Sequence, residues 1–374
     1  MARPASVDGA APRVWRGWFC LCLLLFGGVA GADSLDDRFA TVWESLWHQR
    51  GSPSAVVRWP SDIRVRVRGL NQAFHRERIV KALELVASVA GRKVIDVTDL
   101  PDAQTQANLD TEIVAEHAVQ DNQACYVRLE RVSNNLINKA VLKMRERAVY
   151  YCVLHEAMHV MGISGHPTGN TVLSYFYQRV DAITELDRLL LRAWYSPAMV
   201  PGMNPFAALV VLTDAVVRED AGGVQDAAGR RLRFLSQTVA AMEDFARGNG
   251  EVPVVLKRSG TASTEGVRLG RQVIAYYLGW AYSQGSAVVA DDARSLQWFE
   301  RSARDGLMGG QLVLGHLHER GEGGATRSAS DAFFWFSLAA AQGSTVAQAS
   351  AQRMAALLTE EQRKSVQERI AAFK

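Results

Sequence analysis

An α+β domain followed by an all-α repeat array is the fold the sequence predicts, on three observations. Strand-like runs crowd residues 63–143 around one helical stretch. An apolar helix then leads into HEAMHVMGISGH at 155–166, and the last third repeats itself at 36 to 37 residues.

The strands come first. Residues 63–68 alternate apolar and basic, the pattern of a half-buried strand with Ile63, Val65 and Val67 inward and Arg64, Arg66 and Arg68 outward. No aromatic platform or larger basic patch accompanies that stripe, so it suits a solvated sheet face and no nucleic-acid partner is expected. Ile79, Leu83, Val86 and Ala90 then recur at helical spacing up to Gly91. Residues 94–97, 109–114, 126–129 and 137–143 read as further strands, the last two joined through Ser133, Asn134 and Asn135.

Residues 149–153 are apolar and lack Gly and Pro, as a buried helix entering the histidine stretch requires. His155 and His159 are four residues apart, so both imidazoles project from one helical face and can share a tetrahedral metal. Glu156 lies between them. A zinc ion in such a site keeps one position open for water and needs a nearby carboxylate to take the water's proton, the role expected of Glu156. Gly162 can end the helix in a left-handed turn, after which the chain reverses toward a third histidine, His166. His166 is the expected third ligand; Asp181, Glu185 and Asp187 are alternatives, since a downstream carboxylate completes the set in other zinc hydrolases.

The string HExxHxxG followed by a histidine resembles the metzincin clan of zinc endopeptidases, whose extended motif is HExxHxxGxxH. Here the last histidine follows Gly162 by four residues instead of three. The resemblance extends over roughly residues 60–200. Thr171-Val172-Leu173-Ser174-Tyr175 looks similar to the clan's methionine turn, which implies Leu173 as the apolar floor beneath the metal and Tyr175 as an oxyanion-stabilising group. Thr184-Glu185-Leu186-Asp187 with Leu189, Leu190, Trp194 and Tyr195 looks like the closing helix. Within the clan, the layout is most similar to a bacterial family of secreted metzincin-like proteins. In such a fold an edge strand lines the cleft and pairs with an extended peptide substrate.

The amino terminus has the layout of a secretory signal peptide: Arg3, Arg13 and Arg16 against Asp8, an apolar run over residues 18–26, and Ala30-Gly31-Ala32 before the expected cleavage site. The run is well short of the roughly 20 apolar residues of a spanning helix, so no stable membrane span is expected after cleavage. The n-region contributes +2 (three Arg less one Asp) of the formal +3, which leaves +1 for the rest. Export implies a periplasmic or extracellular location. It also leaves only Cys125 and Cys152 in a compartment where disulfides persist, so the two are expected to pair, tying the histidine helix to the strand that holds Cys125.

In the last third, Leu278-Gly279 recurs as Leu314-Gly315 after 36 residues, and Trp298, Ala303 and Gly306 recur as Trp335, Ala340 and Gly343 after 37. Each unit reads as helix, turn, helix, and the pattern is similar to Sel-one-like repeats, short relatives of tetratricopeptide repeats that usually bind proteins. Residues 267–277 are expected to cap the array on one side. Thr359 to Gln362 shows the capping-box pattern of a closing helix on the other. His316 and His318 are two apart on a helix and point different ways, so no ligand role is assigned to them.

The expected organisation is a signal peptide at 1–32, a metzincin-like domain at 33–203, a helical connector with a linker at 204–265, and repeats at 266–374. The expected function is that of a secreted Zn²⁺-dependent peptidase acting on a protein or peptide substrate, with a protein partner on the repeats. Two rivals stand beside it: a non-catalytic protein-binding module, and a zinc hydrolase of cell-wall peptide crosslinks.

Overall fold

The structure is a computed structural model that describes residues 34–48, 51–118, 124–174, 182–220, 224–258 and 263–373. The expected signal peptide, Tyr175 and Asp181 lie outside the described residues.

The chain enters through helix α1 (Leu35–Glu44), opened by a Ser34–Asp37 capping box and burying Leu35, Phe39, Val42 and Trp43. Strands β1 (Trp47–His48) and β2 (Ser52–Pro53) pair as a short antiparallel ribbon. Then follow β3 (Ile63–Gly69), α2 (Gln72–Val89), β4 (Val94–Asp96), α3 (Ala103–Gln106), β5 (Leu109–Val114), β6 (Cys125–Ser133) and β7 (Leu136–Arg145). Five described strands form one mixed sheet in the order β4-β3-β5-β7-β6. The pairs β4/β3, β3/β5 and β5/β7 are parallel, whereas β6 runs antiparallel to β7 at the edge. Asn134 and Asn135, at φ 50° and 59°, make the tight β6–β7 hairpin, the double left-handed conformation that asparagine tolerates.

The alternation over 63–68 holds: Ile63, Val65 and Val67 are buried and the three arginines line the other face. Two of those charges are matched within the sheet, and Arg64 donates to the Gln106 carbonyl at 2.7 Å. Arg66 and Lys139 bracket Asp110 at 2.6 and 3.2 Å, and Arg68 and Lys143 bracket Glu112 at 3.0 and 3.2 Å. The acidic residues on the neighbouring strand complete a pairing that the basic stripe alone does not display.

Helix α4 (Val149–Val160) packs against α2 and against β6 and β7, and α5 (Glu185–Trp194) buries Leu186, Leu189, Leu190 and Trp194. Helices α6 (Pro205–Glu219) and α7 (Ala227–Arg247) follow as the sequence predicts. The stretch expected to be a linker is different: it holds helix α8 (Val254–Arg258), whose Leu256 is fully buried. Only a few apolar residues mark it, and Leu256 is fixed by tertiary packing where local pattern is too short to read.

Helices α9 (Thr264–Gln284), α10 (Asp292–Arg304), α11 (Met308–Arg320), α12 (Ala329–Ala341), α13 (Thr345–Ala355) and α14 (Glu360–Ala372) complete the chain. The residues expected to cap the array belong to α9 itself, and Thr359 and Gln362 make both bonds of a capping box at α14. The 36-residue recurrence has a packing cause. A Cβ on Gly279 would lie 2.6 Å from the Phe299 ring, and one on Gly315 would lie 2.4 Å from the Phe336 ring. Each glycine lets the next helix's phenylalanine close on its helix. Gly315→Ala is therefore expected to destabilise the protein by about 1–3 kcal/mol through overpacking. Gly309→Ala, whose Cβ meets Tyr276 at an ordinary 3.4 Å, is expected to gain up to about 1 kcal/mol from helix propensity. Urea denaturation of the two variants checks the opposite signs.

One hydrophobic core runs from Leu35 through the sheet and the connector helices to Trp298. Trp43 stacks on Phe206 at 5.7 Å, and the Ala55 N–H donates to the Tyr277 hydroxyl at 3.0 Å. Among the described residues no helix is long and apolar enough to cross a membrane.

Candidate metal centre

Helix α4 ends where its carbonyls find donors from elsewhere. The Trp59 indole donates to Val160 O at 2.7 Å and the Tyr195 hydroxyl to Met161 O at 3.0 Å, which satisfies orphan groups of the last turn. Gly162 then turns the chain at φ +92°, and a Cβ there would lie 2.3 Å from Val57 O, so glycine is required twice over. The loop that follows brings His166 back to the helix.

The Nε2 atoms of His155, His159 and His166 converge, at 3.1 Å between the first two and 3.0 Å from each of these to the third. Among the described residues these three form the one cluster of potential metal ligands. Neither alternative carboxylate in the described region joins them. Glu185 is exposed beside Arg188, and Asp187 is buried and engaged by the Thr171 hydroxyl, the Val172 N–H and the Thr184 N–H. Asp187 thus links the start of α5 to the turn at 171–173. That turn holds Leu173 fully buried, and its Val172 carbonyl accepts from His155 Nδ1 at 2.8 Å.

Backbone carbonyls decide the tautomers. His155 Nδ1 faces Val172 O and His159 Nδ1 faces Ile163 O at 2.7 Å; a carbonyl only accepts, so both protons sit on Nδ1. The 3.1 Å contact between the two Nε2 atoms then sets lone pair against lone pair. A cation relieves that repulsion, and the observed spacing is close to the roughly 3.3 Å expected for nitrogens 2.0–2.1 Å from a tetrahedral ion. The donor set fits zinc.

Burial, reinforced by the neighbouring imidazoles, pushes His159 down to about 3 and His166 further still; burial lowers His155 as well. All three are neutral at physiological pH, as ligation requires. Burial pushes the Glu156 carboxyl up to about 8, against an opposing hydrogen bond from the Val127 N–H on the edge strand β6. Its Oε2 is buried without a hydrogen-bond partner among the described residues. Cys125, at the start of β6, is bonded to Cys152 of α4, with Cα atoms 6.5 Å apart, so a disulfide fixes the edge strand to the histidine helix.

These shifts give the metal-free chain a definite pH profile. His159 stays neutral in the fold down to about pH 3 but protonates near 6.5 when unfolded, so acid favours the unfolded chain below about pH 6.5. Glu156 works the other way: the folded carboxyl keeps its proton to about pH 8 and the unfolded one loses it near 4.5, so stability falls as pH rises between those values. Each group contributes a slope of roughly 1.4 kcal/mol per pH unit. His159 and His166 together outweigh one carboxyl below 6.5, so stability in EDTA is expected to peak near that pH. Urea midpoints that rise steadily from pH 6.5 to 5 would contradict this.

The sequence missed the residues around His166. Gly165 N–H donates to Ser45 O at 3.1 Å, and the Glu44 carboxylate receives Thr168 N–H and Oγ1 at 2.7 and 2.9 Å. The Ser34-x-x-Asp37 pattern before Phe39, Val42 and Trp43 is a signal that finds α1, but nothing local predicts which loop it meets.

Residues 275–307 and 310–344 match the Sel1 repeat family. No curated protein matches the chain. Among solved structures, the chain is similar to the crystal structure of c5321, a protective antigen present in uropathogenic Escherichia coli strains displaying an SLR fold. The identity is 18%, the match covers 51% of this chain and 41% of that one, and the TM-score is 0.27. The helices from within α9 to the start of α13 therefore carry Sel1 repeats, built onto a mixed α+β region that places three histidines together.

Proposed function

We propose that this chain is an exported zinc-dependent peptidase of the metzincin type, with the Sel1 repeats as a platform for a protein partner. The observation that carries the reading is the convergence of three neutral Nε2 atoms, two of them from the helix whose Glu156 keeps a buried carboxylate oxygen without a hydrogen-bond partner among the described residues. The sheet order, with one antiparallel strand at the edge next to α4, supports it. The Cys125–Cys152 bond supports an oxidising compartment.

Bound by His155, His159 and His166, zinc supplies a Lewis acid that polarises a carbonyl and makes water a nucleophile near neutral pH. The chain's own residues do the rest. The Val172 and Ile163 carbonyls hold two of the rings in the ligating tautomer, and Leu173, which follows Val172, is fully buried in the core. A cation nearby favours the ionised form of Glu156, which becomes the base that takes the proton of the attacking water and returns it to the leaving amine. Val127 N–H keeps that carboxylate against β6, the strand along which an extended peptide would lie.

Zinc-loaded full-length chain is expected to cleave members of a peptide library, to lose that activity with 1,10-phenanthroline and to regain it with added zinc. A zinc-replete chain inert toward the library, but active on purified peptidoglycan, would move the substrate to cell-wall crosslinks. Inertness toward both would leave the protein-binding module.

A further inference from the structure

A cleft opens where the connector meets the first repeat. Ser236, Val239, Ala240 and Glu243 share one face of α7 and line one side of it; Tyr282 of α9, the loop at 287–290 and Arg294 of α10 line the other. Its volume, about 410 Å³, falls in the lower part of the roughly 300–1,000 Å³ range of small-ligand sites. A polar chain runs through these mostly apolar walls. Buried Glu243 accepts from the Tyr282 hydroxyl at 2.7 Å, and that hydroxyl accepts from Arg294 Nη1 at 2.7 Å. The guanidinium also lies 4.7 Å from the centre of the Tyr282 ring, so it is held at two points. Arg247 answers the Glu243 charge at 3.2 Å, and Asp291 is spent on capping α10, where it accepts from Arg294 N–H at 3.0 Å. Arg294 makes no ion pair among the described residues, so its charge is the one left over. The loop opposite is also poised. Ala287 takes φ 63°, a left-handed conformation rare for alanine, and the N–H groups of residues 287–290 donate to no group among the described residues. Val289 is 89% exposed at the rim.

We propose that this cleft captures the C-terminal end of an extended peptide chain, its last apolar side chain between α7 and the 287–290 loop and its carboxylate on Arg294. The planar guanidinium carries paired donors that match a carboxylate, and the bond from Nη1 to Tyr282 leaves its other N–H groups for that purpose. Tyr282 and Glu243 act as positioning residues. The unspent N–H groups of the loop suit the carbonyls of an extended chain, which is bound through its main chain. A residue in mid-chain brings no carboxylate, so the chemistry selects an end. The proposal stands on the cleft alone and does not need the metal centre.

The test titrates the full chain into an N-terminally fluorescent pentapeptide ending in leucine, followed by polarisation, with EDTA present so that no hydrolysis consumes the probe. The free acid is expected to bind at least about tenfold more tightly than the same peptide amidated at its C-terminus. Arg294→Gln should bring the acid to the level of the amide and leave the amide unchanged, with Arg294→Lys recovering part of the preference. Tyr282→Phe should lower the acid-to-amide ratio, whereas a merely structural role would weaken both peptides alike. Ala240→Leu, at an exposed helical position, should fill the cleft and weaken both peptides while keeping the wild-type urea midpoint. Decanoate, the arm for a free amphiphile, should compete poorly; if it binds more tightly than the peptide, the chain end is overturned as the occupant. Binding weaker than about 1 mM, equal affinity for acid and amide, or an acid preference that survives Arg294→Gln overturns the proposal. So does unchanged affinity in Ala240→Leu, which would place the peptide elsewhere.

Discussion

Glu156→Gln is expected to cut peptide cleavage by about 10²- to 10⁴-fold, the range over which a general base contributes, while zinc occupancy stays that of wild type. The amide fits the same buried space beside Val127 and cannot take a proton. The same substitution is expected to stabilise the metal-free protein at alkaline pH. It removes a carboxyl that burial holds at about 8, so the cost of ionising it inside the fold disappears. Cleavage rates, zinc content and urea midpoints at pH 9, measured on one preparation, separate the two effects. Retained cleavage in the glutamine variant, with zinc still bound, would remove Glu156 from the mechanism.

His166→Ala is expected to weaken zinc binding by about 10²- to 10³-fold, one ligand's share of a tightly held ion. The distances make His166 as close to both partners as these are to each other, so its loss leaves a two-point site. Asp187→Ala is a useful contrast. It should leave the ligand set intact and act by loosening the turn at 171–173, because the Asp187 carboxylate bonds Thr171, Val172 and Thr184 and not the histidines. Zinc titrations against a chromogenic chelator distinguish the two. Equal affinity in wild type and His166→Ala would return the third-ligand question to Asp181.

What could be read from the sequence divides along the range of the interactions. His155, Glu156 and His159 are set by helical geometry, and Gly162 by a turn, so local pattern suffices for them. The Thr184–Asp187 capping box is equally local, and both of its bonds are present. His166 was legible as the expected third ligand with carboxylates as alternatives to it, since an extra loop residue lies before it and only the docking of that loop on Ser45 and Glu44 aims it. That docking joins positions 124 apart in sequence, which no local pattern displays. Likewise, the pairing of Asp110 with Arg66 and Lys139 depends on strand register, which alternation within one strand does not reveal. The partners of the α4 carbonyls, Trp59 and Tyr195, are of the same long-range kind.

The unbroken core from Leu35 to Trp298 has a consequence for how this chain can be inherited and cut. A repeat array joined by an open tether can be shuffled between genes as a unit, and it melts on its own. Here the first helix of the array bonds Ala55 through Tyr277 and Asn204 through Gln284, and Phe206 of the connector stacks on Trp43. A break after residue 203 would strip apolar cover from both fragments, so heating should give a single cooperative transition for the whole of residues 34–298. Recombination at that point would yield two partial proteins, each with part of its apolar core open to water.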